Sequence, residues 1–301
     1  MTLPESLSKL EQEVSSFLSS NSPPIRRIVD EVINPLNVES EAYVIGGLIR
    51  DIALYGKDQR PSSDIDFVVK GRSSSVDKLA LALNAKPNRF GGFGIKNKEF
   101  RVDFWSWNKT WAKTNGHVDL KSKKDICKTT FFDWDAIVYS TKTGRLTAID
   151  GYLDRLNSRK LDINLLANPS ILGSLVRSLR RLYMWNAKPT RNLSLFVYEH
   201  IKHYNWYEIQ EAERNAFGTI FLGAFPDSKT AIETLVECDT ELRKYFGILG
   251  SQSQREREFD LDMKEQWYFG PNFYSHAVCD TNSLIKKKKL RQRSSQMSLF
   301  D

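Results

Sequence analysis

Two aspartates one residue apart, Asp64 and Asp66, open an apolar run that continues to Val69. Alternate side chains of an extended chain share a face, so a strand over 64–69 sets both carboxylates on one face and sends Ile65, Phe67 and Val69 to the core. Two hard oxygen ligands so placed suit Mg2+, which binds through one or two carboxylates together with substrate phosphates. Earlier in the chain, Gly46-Gly47 breaks the apolar run Tyr43 to Ile45, and Leu48, Ile52 and Ala53 then recur at helical spacing. This predicts strand, tight turn and helix. Glycines at such a junction let the backbone approach a ligand closely, and the free N–H groups of the first helical turn favour a phosphate. The chemistry within reach of these residues is therefore that of a phosphate-and-metal site.

The rest of the chain must position them. Its 301 residues, 41% hydrophobic and 27% charged, match one large or two ordinary globular domains. No apolar run is long enough to cross a bilayer, and the N-terminus has no basic region followed by an apolar one, so a cytoplasmic protein is expected. Cys127, Cys238 and Cys279 are scattered and odd in number, which excludes a disulfide framework and a CxxC zinc site. His200 and His203 stand three apart on a predicted helix, but no third metal ligand accompanies them. The net charge is +7, of which +5 comes from residues 281–301, where six basic side chains meet one acid. A nucleic-acid surface on the globular part must therefore come from local clustering.

In chain order, Leu7, Leu10, Val14 and Leu18 predict an amphipathic N-terminal helix, and the stretch from Pro23 predicts a second. After the Asp64 strand, Val76, Leu79, Leu81 and Leu83 mark a helix, and a GGFG turn precedes a second alternating run, 99–107. In that run Asp103 lies opposite Phe100, Val102 and Phe104, facing away from the apolar side. Residues 108–128, with six lysines, read as a flexible loop. From Pro169 an apolar stripe over Ile171, Leu172, Leu175, Val176, Leu179 and Leu182 predicts a long helix, with Arg177, Arg180 and Arg181 on neighbouring faces. A small helical bundle is expected over 193–250. Its aromatics, with Tyr183 and Trp185, are either core or a stacking surface for bases.

The succession GGLIRD at 46–51 and DID at 64–66 resembles the DNA polymerase beta nucleotidyltransferase superfamily, in the form found in the heads of class II (bacterial-type) CCA-adding enzymes and bacterial poly(A) polymerases. The resemblance implies that Gly46 and Gly47 contact the incoming triphosphate and that Arg50 and Asp51 shape the site. It also implies two Mg2+ ions on Asp64 and Asp66, with Asp103 as the third catalytic carboxylate. FFDWDAIVYS looks like the family's RRDFTxNAxxY, with Asp135 at the usual Asn and with Thr129, Thr130 and Phe131 in place of the arginines and first Asp. LTAIDGYLDRLNSRKL is similar to IDPxGGxxDLxxxxL. SLVRSLRRLYMW is similar to the neck motif RxLRAxRF, with Ser174, Arg177 and Arg180 at the three arginine positions. Arg177 and Arg180 are by this resemblance nucleotide-binding. The base-selecting EDxxR is replaced by Ser170, Ile171 and Ser174.

The implied fold is an α/β nucleotidyltransferase head with a mixed, partly antiparallel sheet, followed by an all-α neck and body. The expected divisions are bracing helices over 1–40, the head over 41–165, neck and body over 166–250, and a polar, basic, flexible region over 251–301. The implied activity is metal-dependent transfer of a nucleoside monophosphate from an NTP to a hydroxyl, foremost an RNA (tRNA) 3′ end, with release of pyrophosphate. Two other classes stay open, nucleotidylation of a protein or small molecule and a non-catalytic RNA- or nucleotide-binding module. At the C-terminus, Gln296, Met297, Ser298, Leu299 and Phe300 resemble the bacterial sliding-clamp-binding peptide, which implies a clamp as a partner.

Overall fold

The computed structural model describes residues 3–58, 63–88, 90–96 and 101–238, the side chains of residues 39 and 234–238 excepted. The chain divides into two compact units, Met1–Leu235 and Val236–Asp301, and nearly all of the described residues belong to the first. The polar stretch from Ser251, the basic run and the clamp-like peptide lie outside the described residues.

Helix α1 (Leu7–Leu18) is capped by the Ser6 hydroxyl and buries Leu10, Val14 and Phe17. Proline at the first turn starts α2 (Pro23–Ile28), which runs through a π turn into α3 (Asn34–Glu39). These helices lead into β1 (Glu41–Ile45), and Gly46, at φ 67°, turns the chain into α4 (Gly47–Tyr55). Then come β2 (Ile65–Lys70), α5 (Ser73–Ala82), the short strands β3 (Lys86–Pro87) and β4 (Phe93–Lys96), and β5 (Arg101–Ser106). In α5 the buried residues are Val76, Leu79 and Ala80, while Leu81 points to solvent, because a helical stripe steps by three or four.

The expectation of a flexible loop over 108–128 is overturned. This segment holds α6 (Trp111–Thr114) and α7 (Lys123–Cys127), and the Trp107 indole N–H donates to Leu120 O at 2.9 Å. Its apolar residues Trp107, Val118, Leu120, Ile126 and Cys127 form one core with Tyr43, Ile45, Val68 and Val138 of the sheet. The lysines keep to the surface and the apolar side chains cover a sheet face, so the composition masked a packed layer.

The chain continues with β6 (Ile137–Ser140), β7 (Leu146–Ala148), α8 (Tyr152–Asn157) and β8 (Lys160–Leu161). The main sheet is seven-stranded, ordered β3-β4-β5-β2-β1-β6-β7. Among the described residues of this sheet only β2 and β5 run parallel, and its other pairings are antiparallel, which is the mixed sheet expected. One face, with Val44, Phe67 and Phe104, lies under α4 and α5. The other carries the 107–128 layer.

Helix α9 (Ile171–Met184) begins at a Ser170 cap and buries Leu175, Val176, Leu179 and Leu182. Strand β9 (Lys188–Pro189) pairs with β8, and α10 (Arg191–Ile201), α11 (Trp206–Phe217) and α12 (Ser228–Cys238) follow. Helices α10 and α11 both pack on α9. Among the described residues no helix is long and apolar enough to cross a membrane.

Candidate active site

The register of β2 against its neighbours assembles the site. Asp66 pairs with Ile45 at the end of β1 on one side and with Asp103 on the parallel strand β5 on the other. Residues in register share a face, so Asp66 and Asp103 stand side by side, with Asp64 one step before β2 on the same face. The 107–128 layer covers that face over Tyr43 and Val68. It leaves Asp66 partly exposed and Asp64 about half exposed, at 46%.

Asp103 is only 5% exposed, although it faces away from Phe100, Val102 and Phe104 in the alternation. Strand β4 lies along β5 and sets Gly94 opposite Asp103; a Cβ added there would fall 2.6 Å from the carboxylate. Glycine therefore makes the room, and Asn88 Nδ2 donates to Asp103 Oδ1 at 3.2 Å. Among the described side chains none donates to Asp66. Burial, then the charges of Asp103, Asp64 and Asp135, push its carboxyl up to about 8. Burial also raises Asp64, against the opposing charge of Arg101.

The glycine pair is required by the protein's own packing. The Gly46 N–H donates to Ile137 O at 3.0 Å, and a Cβ on Gly46 would sit 3.2 Å from Asp135; on Gly47 it would sit 2.7 Å from Ser63 Cβ. Gly46→Ala is expected to cost about 1–3 kcal/mol of stability, from its positive φ and this close approach. Urea denaturation checks it, and an unchanged midpoint would count against the packing argument.

Arg50 and Asp51, 4% and 1% exposed, lie beneath the turn. Asp51 Oδ1 accepts from Arg50 Nε at 3.0 Å and Nη2 at 2.7 Å, and Oδ2 accepts from the backbone and hydroxyl of Ser63 at 3.0 and 2.9 Å. Asp51 thereby fixes the residue next to Asp64. The other face of Arg50 binds Asp135, whose second oxygen takes Arg181 Nη2 at 2.6 Å. Burial works against the charge on Asp135, but Arg181 and Arg50 outweigh it and hold this carboxyl below its ordinary range. Burial likewise pushes Arg181 down to about 10 against the pull of Asp135. Arg181 also lies 3.9 Å over the Phe132 ring, and both guanidiniums lie over Trp185. Arg181–Asp135–Arg50–Asp51–Ser63 is thus a continuous chain from α9 to the carboxylates.

Asp135 is held by its own segment. The Trp134 indole donates to Lys160 O at 2.6 Å, the Tyr152 hydroxyl to Trp134 O at 3.0 Å, and Asp133 pairs with Arg155 at 2.9 Å. The stretch around Tyr152 and Arg155 therefore serves as a brace for the 132–135 turn.

Arg177 and Arg180 have different surroundings. Arg177 is exposed and bonds to Gly173 O and Ser174 Oγ at 3.3 and 3.1 Å. Arg180 pairs with Glu213, which is fully buried on α11, and lies over Phe217. Ser170 caps α9, and Ser174 is buried. Asp135 and Arg181 were not singled out as site residues. Their signal was present: each departs from its motif, at the Asn of one and the final Phe of the other, and the two departures carry opposite charges.

Among the described residues no three His, Cys, Asp or Glu side chains converge to hold an ion. The donor chemistry still fits a divalent ion. Three carboxylates of adjacent strands share one face, Asp66 takes no hydrogen bond from a described side chain, and the cationic Arg101 already lies against the other two.

No protein-family model matches the chain, and no curated protein sequence matches it. Solved structures do. One is a CCA-adding enzyme with CTP, at TM-score 0.51 and 19% identity, covering 80% of this chain and 56% of that one. Another is the Thermotoga maritima CCA-adding enzyme complexed with tRNA, at TM-score 0.50 and 18% identity, covering 79% of this chain and 55% of that one. The chain thus spans little more than half the length of either. At these identities the likeness concerns architecture, and in architecture this chain has the α/β nucleotidyltransferase fold of the CCA-adding enzymes.

Proposed function

We propose that this chain is a nucleotidyltransferase that moves a nucleoside monophosphate from an NTP to the 3′-hydroxyl of an RNA, foremost a tRNA, with pyrophosphate leaving. The observation that carries this reading is the register of Asp66 against Asp103, with Asp64 on the same face at the open end of the sheet. The CTP and tRNA in the matching structures support the substrate classes.

Asp64 and Asp66 would hold Mg2+, which supplies charge neutralisation on the phosphates and a lower pKa for the attacking hydroxyl. Asp103, which Asn88 holds beside Asp66, would orient that hydroxyl and take its proton. Asp51 and Arg50 fix the strand entry that carries Asp64. Gly46 and Gly47 keep the turn above them free of side chains, and Arg177, exposed on α9, would contact the nucleotide.

With Ser170 spent as a helix cap and Ser174 buried, base choice should differ from ordered addition of C then A. Incubation with Mg2+, total RNA and each α-labelled NTP in turn is expected to label RNA with a base preference other than strict CCA completion. Label on protein or a small molecule would replace the acceptor, and absence of transfer would reject the enzymatic reading.

A further inference from the structure

Arg101 stands at the start of β5, two residues before Asp103 and therefore on the same face. Its guanidinium reaches two of the three site carboxylates, with Nε 3.0 Å from Asp103 Oδ2 and Nη1 3.5 Å from Asp64 Oδ2. A single internal cation thus bridges the residues on either side of Asp66.

Arg101 and Asp64 are each about half exposed, at 48% and 46%. The guanidinium can therefore leave the cluster and be solvated, provided that an arriving ion takes its place as countercharge to the nearly buried Asp103. Asp103, by contrast, is nearly buried and fixed by Asn88, so it stays in place when Arg101 departs.

We infer that Arg101 is a built-in counter-ion of the carboxylate cluster, one that a divalent ion must displace, so that ion entry and release of the Arg101 side chain are one equilibrium. The inference rests on the nucleotidyltransferase reading. In that setting the displaced guanidinium stands at the mouth of the site, where the polyphosphate of an NTP is the complementary charge. A divalent ion alone then competes with Arg101, whereas an ion arriving with a nucleotide does not. Loading of metal and nucleotide is thereby coupled through one side chain.

Mn2+ titration followed by electron paramagnetic resonance of the free ion tests this on the full chain without nucleotide. Arg101→Gln is expected to bind Mn2+ roughly tenfold or more tightly than the unsubstituted protein, the scale on which a charge at this distance alters a carboxylate's affinity for a proton. Arg101→Lys, which keeps the charge but loses the two-armed fork, is expected to fall between them. Adding a non-hydrolysable NTP analogue should narrow the difference between Arg101→Gln and the unsubstituted protein. Equal or weaker Mn2+ binding by Arg101→Gln overturns the inference and leaves the nucleotidyltransferase reading standing. Absence of Mn2+ binding in every protein overturns both.

Discussion

Asp66→Asn is expected to lower nucleotide transfer by about 10²–10³-fold or more, the loss that follows removal of one strong electrostatic element from a reaction centre. The same substitution should leave the melting temperature unchanged or raised when no divalent ion is added. Asp66 receives no hydrogen bond from the described side chains, and burial, then the charges of Asp103, Asp64 and Asp135, outweigh Arg101, so the native surroundings disfavour its charge. Asparagine keeps the shape and removes that repulsion. A residue that weakens the fold and is needed for the chemistry is the usual signature of a functional site. Transfer at the unsubstituted rate by Asp66→Asn would end the metal assignment, and a large fall in melting temperature would recast Asp66 as structural. Thermal unfolding beside a single-turnover transfer assay separates the two.

The largest effect on stability is expected at Asp135. Its carboxylate neutralises Arg50 and Arg181, whose side chains are 5% and 9% exposed. Removing one partner of a buried ion pair leaves an uncompensated charge and costs about 3–5 kcal/mol. Asp135→Asn should therefore lower the urea midpoint sharply. Arg181→Phe alone should cost less, since Asp135 keeps Arg50. The double variant Asp135→Asn, Arg181→Phe places the motif-typical side chains at both positions, and it is expected to recover much of the loss. Additive losses in that cycle would show that the pair acts independently. The pH dependence carries the same sign: because Asp135 is held below its ordinary range, its contribution is present above the unfolded carboxylate pKa. It disappears as pH falls through the folded value.

Much of the arrangement was legible because it is periodic. Alternation over 64–69 and 99–107 placed Asp64, Asp66 and Asp103 on strands, and the glycine pair marked the turn. Which strands are neighbours is not periodic information. The parallel pairing that sets Asp66 beside Asp103 depends on contacts distant in sequence. The burial of Asp103 was hidden for the same reason, since it depends on a third strand presenting Gly94. Residues 108–128 misled through their lysines; their apolar side chains belong to several short turns and show no common period, yet they close one face of the sheet. Asp135 and Arg181 were visible only as two separate departures from familiar patterns. They become a single feature once α9 and the 132–135 turn meet.

The stoichiometry of the reaction tests the central claim most directly. With Mg2+ and a tRNA transcript lacking its 3′ end, in-line attack on the α-phosphate requires each nucleotide incorporated from an α-labelled NTP to release one pyrophosphate. Equal amounts of nucleotide incorporated into RNA and of pyrophosphate, both abolished in Asp64→Ala, are the expected result. Release of inorganic phosphate without incorporation, or incorporation that survives Asp64→Ala, would contradict it.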